Sequence, residues 1–175
     1  MESMNIQLAS DFFPQKNFST PNNPEEELAV AFCSKYYESF SKIHSTNDAC
    51  LFLREFPILS LGIADLAAVT FEENIPKRIR SFEFKISDWK GGLNQASRYK
   101  FYSDVSVLVM PHNKIKMASE NLDTFKRFNV GLWSYNMKTG SIKSHFTPRP
   151  KKQFYEKYRS KAVKKIETLN CCELI

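Results

Sequence analysis

One segment of the sequence constrains the fold more than any other. Residues 104–110 are Asp-Val-Ser-Val-Leu-Val-Met, and Pro111 ends the run. A strand that is apolar at successive positions, rather than at alternate ones, is typical of the middle of a sheet that is covered on both faces. We therefore expect an α/β fold in which helices flank a central sheet.

The residues before this segment predict a helix and three strands. Pro24 suits the first position of a helix, and the three glutamates after it suit the positive end of the helix dipole. Apolar residues then recur every four positions, which predicts a helix over 24–43. Apolar runs predict strands over 51–56 and 63–70, and alternation of apolar with polar residues predicts a third over 80–86.

A second helix is predicted from Ser87 or Asp88, either of which can cap it, to about residue 102. Gly91 and Gly92 each weaken this helix by about 1 kcal/mol relative to alanine, so we expect close packing at these positions. A left-handed residue at Gly140 suits a short hairpin turn. The remaining predicted elements are a helix near 118–128, hairpin strands over 130–136 and 141–146, and a last helix over about 151–169.

The length predicts a single domain. A chain of 175 residues is within the usual range for one domain, and at 42% apolar residues it can bury a core. Residues 1–23 are rich in Asn, Ser, Gln and Pro, which indicates an arm on the surface or a partly disordered segment. We place the domain itself at 24–170.

Composition excludes several classes of protein. The sequence has no stretch of about 18 apolar residues and no basic region followed by an apolar run, so we expect neither a membrane protein nor a targeted one. The cysteines lack C-x-x-C spacing, so we expect reduced thiols in a cytosolic protein rather than a zinc knuckle or a disulfide framework. A net charge of +6 favours polyanionic partners such as nucleic acid.

Three charged residues interrupt the apolar strands. Asp65 lies within the second predicted strand, and Glu83 and Lys85 share one face of the third. Because paired strands lie about 4.8 Å apart, a hairpin brings the two carboxylates and the ammonium group to facing positions. Burial of these charges is costly without a partner, and a hard divalent ion such as Mg²⁺ or Mn²⁺ is a natural partner for carboxylate oxygens.

These residues resemble the PD-(D/E)xK nuclease superfamily, whose restriction-endonuclease-like core has the order helix, three strands, helix, strand. The same order is predicted here over residues 24–110, with the later hairpin and helix as additions. The segment Gln95-Ala96-Ser97-Arg98-Tyr99 in the second helix also matches the Gln-x-x-x-Tyr signature of the exonuclease-like branch. The match departs from the family pattern at Ala64, where a proline usually stands.

The resemblance implies roles for these residues. Asp65 and Glu83 hold the metal, Lys85 orients the attacking water and steadies the phosphate, and Gln95 and Tyr99 contact the substrate backbone. Some members of the superfamily add a glutamate from the first helix as a ligand. The stripe of apolar residues on that helix favours Glu25 over Glu26 and Glu27 for this position.

Several arginines are placed to hold a nucleic-acid backbone. Arg78 and Arg80 belong to the third predicted strand and Arg98 to the helix after it, where contacts to phosphates position a strand without reading its sequence. Of these we assign Arg80 and Arg98 to the substrate. His44, His112 and His145 lack ligand spacing, and we expect them to be solvated or locally hydrogen-bonded.

We therefore expect a Mg²⁺- or Mn²⁺-dependent nuclease that cleaves phosphodiester bonds, with DNA favoured over RNA. The sequence leaves open whether cleavage is endo- or exonucleolytic and whether a homodimer or a partner protein is needed. Two other functions remain as alternatives: a nuclease fold that binds nucleic acid without cleaving it, and a subunit that docks on a partner through its last helix or its arm.

Overall fold

Six strands and five α-helices make up the part of the chain that the structure describes. This computed structural model describes residues 21, 23–43, 50–58, 60–73, 75–150 and 155–171. The helices are α1 Pro24–Ile43, α2 Trp89–Tyr99, α3 Lys116–Ser119, α4 Leu122–Phe128 and α5 Glu156–Cys171. The strands are β1 Cys50–Ile58, β2 Gly62–Glu72, β3 Ile75–Phe84, β4 Val105–Pro111, β5 Gly131–Asn136 and β6 Ser141–Phe146.

All six strands form one mixed sheet in the order β1-β2-β3-β4-β5-β6. β3 is parallel to β4, and β4 is parallel to β5. The pairs β1–β2, β2–β3 and β5–β6 are antiparallel. Every residue of Val105–Met110 is buried, so the predicted position of this strand inside the sheet is confirmed. The prediction of an α/β fold with helices flanking a mixed sheet is also confirmed.

Helices cover both faces of the sheet. On one face, α1 packs Phe32 and Tyr36 against Phe82 of β3 and Trp133 of β5. On the other face, α2 and α5 cover β1 to β3, and α2 together with α4 covers β4 and β5. The period-two pattern of the strands therefore supplies apolar side chains to two separate layers.

Three helices and one strand differ from the prediction: α2 ends at Tyr99 rather than near residue 102, and β3 spans Ile75–Phe84 rather than 80–86. The helix expected near 118–128 is divided into α3 and α4, because Asn121 leaves the helical conformation and its side chain donates to the Met117 carbonyl at 2.8 Å. The last helix was placed at about 151–169, whereas the structure has α5 at Glu156–Cys171, and residues 151–154 lie outside the described part. Near the end of α5, Leu169 is 38% exposed.

Other predictions concern the ends of the chain and its thiols. Residues 1–20 of the expected arm and His44 lie outside the described residues. Cys33 and Cys50 carry free thiols, and Cys33 is buried. Among the helices of the described ranges, none is long and apolar enough to cross a membrane.

Close packing was expected at the glycines of α2, and it is confirmed at Gly92. A Cβ atom at this position would lie 2.6 Å from Leu108 Cδ1 and 2.8 Å from Lys85 Cγ. Such distances are well inside van der Waals contact, so α2 can approach β3 and β4 this closely only with glycine here. The aliphatic part of the Lys85 side chain is thereby held between the helix and the sheet.

Replacing Gly92 with alanine is expected to destabilise the protein by about 1–3 kcal/mol, because the cost of overpacking exceeds the gain in helix propensity. Chemical denaturation of both proteins measures the difference. Asn94→Ala is the matched control, since Asn94 is exposed on the same helix and its substitution changes helix propensity without a clash. A Gly92→Ala protein as stable as Asn94→Ala would contradict the packing argument.

Candidate functional site

The candidate site lies where β2 and β3 separate. The last residue pair of their ladder is Leu66 with Phe82, so Asp65 and Glu83 would form the next pair. Beyond that point the Phe84 N–H donates to Asp65 Oδ2 at 2.7 Å rather than to a backbone carbonyl of β2. The expected facing positions of Asp65 and Glu83 are therefore found at the open end of the ladder.

The backbone around Asp65 is distorted on its other side as well. In the pairing of β1 with β2, Arg54 pairs with Leu66 and Phe56 pairs with Ala64, while Glu55 has a φ of 48°. Leu66 belongs to the core under α1, but Ala64 belongs to the core under α2 and α5. The side chains of β2 thus change the face of the sheet to which they point across Asp65. The left-handed backbone of Glu55 on the neighbouring strand is a strained conformation of the kind found at functional sites.

Glu83 is the most deeply buried acid of the site, with 1% of its surface exposed. Its Oε2 atom lies 2.7 Å from the Tyr99 hydroxyl, which also lies 2.6 Å from the carbonyl oxygen of Ile63. Its Oε1 atom is buried and lies 3.0 Å from Lys85 Nζ, which is its cationic partner among the described residues. A buried carboxylate oxygen in this condition can accept a further cationic partner.

Lys85 connects Glu83 with the first helix. Its Nζ lies 3.4 Å from Glu25 Oε2, and Glu25 Oε1 accepts a hydrogen bond from the Ile86 N–H at 3.3 Å. The side chain of Lys85 is 16% exposed and that of Glu25 is 44% exposed, so the ion pair is at the edge of the site. Of the acids at the start of α1, Glu25 is the one that reaches Lys85, whereas Glu26 lies 3.9 Å from Arg54.

Burial and mutual repulsion shift the ionisation of the two strand carboxyls. Burial, together with the charge of Glu83, raises the pKa of Asp65 to about 7, against the opposing effects of the Phe84 N–H and Lys85. Burial also raises the pKa of Glu83, although the hydrogen bonds from Tyr99 and Lys85 oppose the shift.

Lys85 stays charged in this setting. Burial alone lowers its pKa, but the hydrogen bond and charge of Glu83 and the charges of Glu25 and Asp65 together raise it. One ammonium group thus faces three carboxyl groups. When all four groups are ionised, the site carries a net negative charge. A bound cation would balance this charge.

The donor set fits a small hard cation. Asp65 and Glu83 offer carboxylate oxygens, and Mg²⁺ is usually held by one or two carboxylates and keeps several waters. Within the described ranges, no group of three His, Cys, Asp or Glu side chains converges closely enough to hold a metal ion by itself. The residues therefore suit an ion whose shell is completed by water and substrate, and they do not form a closed structural site.

The predicted substrate residues fall into two groups. Tyr99 is buried beside Glu83, and Gln95 is half-buried one turn earlier on α2. Arg98 is exposed on the same helix, and its Nη2 atom lies 3.9 Å from the position of a Cβ on Gly62, at the start of β2. These three residues lie on the helix that contacts the site.

Arg80 is separate from the carboxylates. Its side chain projects from the face of β3 opposite to that of Glu83 and Lys85, donates to the Tyr36 hydroxyl, and lies over the Trp133 ring with 5.6 Å between Cζ and the ring centroid. The structure thus does not bring Arg80 together with the predicted metal ligands.

Sequence reasoning missed Arg54, which lies on β1 next to the start of α1. Two of its guanidinium nitrogens, Nε and Nη1, are buried and have no hydrogen-bond partner among the described residues. The available signal was similar to that for Asp65, since Arg54 and Glu55 are charged residues inside an otherwise apolar run. The histidine prediction agrees with the structure, since Ser134 Oγ lies 3.4 Å from His112 Nδ1 and 2.9 Å from His145 Nε2.

Comparisons with known proteins add no assignment. No family model, curated protein or solved structure matches this chain.

Proposed function

We propose that this protein is a metal-dependent nuclease that hydrolyses phosphodiester bonds. The observation that carries the proposal is the joint position of Asp65, Glu83 and Lys85 where β2 and β3 separate. Two buried carboxylates and one ammonium group are the chemistry that this reaction requires, since the cation binds oxygen ligands and the phosphate carries negative charge. The resemblance to the PD-(D/E)xK pattern supports the same assignment.

The residues divide the work as follows. Asp65 and Glu83 hold Mg²⁺ or Mn²⁺, which when bound lowers the pKa of water and offsets charge on the phosphoryl oxygens. Lys85 directs its ammonium group to the attacking water and to the phosphate. Tyr99 keeps the Glu83 carboxylate in position, and Glu25 holds the far side of Lys85.

The substrate is a nucleic acid, with DNA favoured. Arg98 and Gln95 lie on the helix beside the site, where they can contact the backbone of a bound strand. The charge of +6 supports attraction of a polyanion. The restriction-endonuclease-like arrangement proposed for the core rests on the order α1-β1-β2-β3-α2-β4 and on the position of the site within it.

A direct assay tests the proposal. Purified protein is incubated with end-labelled single-stranded and duplex DNA and RNA, in Mg²⁺, in Mn²⁺ or in EDTA. We expect cleavage in the metal-containing reactions and none in EDTA. Equal product with and without metal, or no product from any substrate, contradicts the proposal.

One observation favours a second candidate function. Lys85 already bridges Glu83 and Glu25, as a purely structural ion network would. In that case the protein binds nucleic acid without cleaving it, and salt-dependent binding is accompanied by no metal-dependent turnover. The assay described above separates the two functions.

Tyr99→Phe is expected to slow cleavage by about tenfold and to destabilise the fold by about 1–3 kcal/mol. The substitution removes the hydroxyl group that lies within hydrogen-bond distance of both the Ile63 carbonyl oxygen and Glu83 Oε2. Single-turnover cleavage rates and chemical denaturation measure the two effects. Tyr102→Phe is the control, because it removes another buried tyrosine hydroxyl of the same core cluster that makes no hydrogen bond to Glu83. Identical effects from both substitutions would contradict a role of the Tyr99 hydroxyl at Glu83.

A further inference from the structure

A cavity of about 290 Å³ lies on the α1 face of the sheet, away from the carboxylates. Its floor is formed by small or apolar residues of the sheet, including Ala68 and Val105, and the rings of Tyr36 and Trp133 form part of its wall. Ligand cavities usually measure about 300–1,000 Å³, so the volume suits a small ligand and not a dinucleotide.

Two guanidinium groups belong to this cavity. Arg78 and Arg80 both line it, and because they are two residues apart on β3 their side chains share a face. Arg80 is fixed in place by the Tyr36 hydroxyl and by the Trp133 ring. Arg78 is exposed, opposite Thr70 in the strand pairing, and none of the ion pairs of the described ranges includes it.

The acid at the cavity does not cancel this charge. Asp104 accepts a hydrogen bond from the Ile79 N–H at 2.7 Å and lies 3.0 Å from Arg159 Nη1. Its carboxylate is therefore engaged by the backbone of β3 and by α5. The lining therefore includes two arginines and one acid, Asp104, which already has a cationic partner in Arg159. The net positive charge that results favours binding of an anion.

The aromatic wall is held in a fixed orientation. Trp133 is 8% exposed, its indole N–H donates to Thr147 Oγ1 at 2.8 Å, and its ring lies 5.9 Å from that of Tyr36 between centroids. Aromatic rings and arginine planes of this kind provide surfaces against which a nucleobase can stack. The cavity thus combines a planar apolar wall with two cationic groups near its entrance.

We propose that this cavity binds a nucleoside phosphate, with the base against the apolar wall and the phosphate on Arg78 and Arg80. A phosphate monoester carries nearly two charges at neutral pH, which suits a pair of guanidinium groups better than the single charge of a carboxylate does. The ligand is either a free mononucleotide or an unpaired nucleotide of a nucleic-acid strand, and the chemistry recognised is the same.

The cavity is a second site and not part of the first. Arg80 and Glu83 are three positions apart on β3, so they are about 10 Å apart along the strand and project from opposite faces. The proposed nucleotide site therefore does not depend on whether Asp65 and Glu83 bind a metal, and it can be tested in EDTA.

The experiment is calorimetric titration of the full chain with 5′-AMP in EDTA, followed by the same titration with adenosine and with benzoate. The chain has two tryptophans, so Trp89→Phe leaves Trp133 as the only indole, and quenching of its fluorescence locates the ligand. We expect 5′-AMP to bind saturably and to quench Trp133, and adenosine and benzoate to bind at least about tenfold more weakly.

Two exposed arginines provide a matched pair of variants. Arg78→Ala is expected to weaken 5′-AMP binding by about tenfold, while Arg127→Ala, which removes an exposed arginine of α4, leaves it unchanged. Absence of saturable 5′-AMP binding, equal affinity for adenosine or benzoate, or equal effects of Arg78→Ala and Arg127→Ala would overturn the proposal.

A short single-stranded oligodeoxynucleotide distinguishes the two sources of the ligand. If it displaces 5′-AMP and quenches Trp133, the cavity takes a nucleotide of a strand. If it does neither while 5′-AMP binds, the cavity takes a free mononucleotide. Either outcome supports a nucleoside-phosphate site. If the oligonucleotide still displaces 5′-AMP from the Arg78→Ala protein, and with unchanged affinity, the binding site is not at this cavity.

Discussion

Lys85→Met will reduce metal-dependent cleavage by about 10²–10³-fold or more, since the substitution keeps the aliphatic stem of the side chain and removes the charge that faces the phosphate. The stem packs against the position of Gly92, so methionine preserves that contact. Single-turnover rates at saturating Mg²⁺ measure the loss. Binding of nucleic acid is expected to weaken much less than cleavage, because in the proposed function Arg98 would also contact the backbone.

Lys116→Met serves as the matched control. The Lys116 side chain is 86% exposed on α3 and lies 4.0 Å from Glu120, away from the site. Cleavage by this variant should equal that of the unmodified chain. If Lys85→Met retains full activity while its circular dichroism is unchanged, Lys85 has no part in catalysis and the proposed function loses its central residue.

The second large effect concerns stability and pH. The pKa of Asp65 is raised from 3.8 to about 7 in the folded protein. Between these two pH values the folded state holds a proton that the unfolded state has released. The resulting stabilisation is complete below pH 3.8 and is lost as pH rises through about 7. In EDTA we therefore expect the melting temperature to fall between pH 5 and pH 8, by on the order of 5–10 °C.

Two comparisons isolate the contribution of Asp65. In Asp65→Asn the side chain does not ionise, so the fall in melting temperature between pH 5 and pH 8 should be much smaller. Mg²⁺ should stabilise the unmodified protein more at pH 8 than at pH 5, because its ligands must be deprotonated. An identical pH dependence for both proteins in EDTA would show that Asp65 is not the titrating group.

The order of elements and the facing positions of Asp65 and Glu83 follow from local patterns. Apolar periodicity located α1, β2 and β4, and period-two alternation placed Glu83 and Lys85 on one face. The same alternation separates Arg80 from Glu83, since three positions along a strand reverse the face. The prediction grouped Arg80 with the site because both lie on the third strand, and it did not consider which face of the strand Arg80 occupies.

Other features depend on contacts between distant parts of the chain. The change of face of β2 at Asp65 accompanies the left-handed conformation of Glu55 on the neighbouring strand, and neither residue type predicts it. The break between α3 and α4 results from a side-chain hydrogen bond that competes with the helix. The cavity beside Arg78 is lined by residues of α1, β2, β3, β4 and β5, so no pattern within β3 alone records it.

The hydrogen bond from Phe84 to Asp65 also bears on which ion the site prefers. It engages Oδ2 of Asp65, Tyr99 engages Oε2 of Glu83, and Glu83 Oε1 lies 3.0 Å from Lys85 Nζ, so neither acid offers two unengaged oxygens. Calcium favours larger shells of six to eight oxygens, often with both oxygens of one carboxylate, whereas magnesium accepts single oxygens in a small octahedron. Under the proposed function, the hydrogen bonds that hold the acids would therefore favour magnesium over calcium.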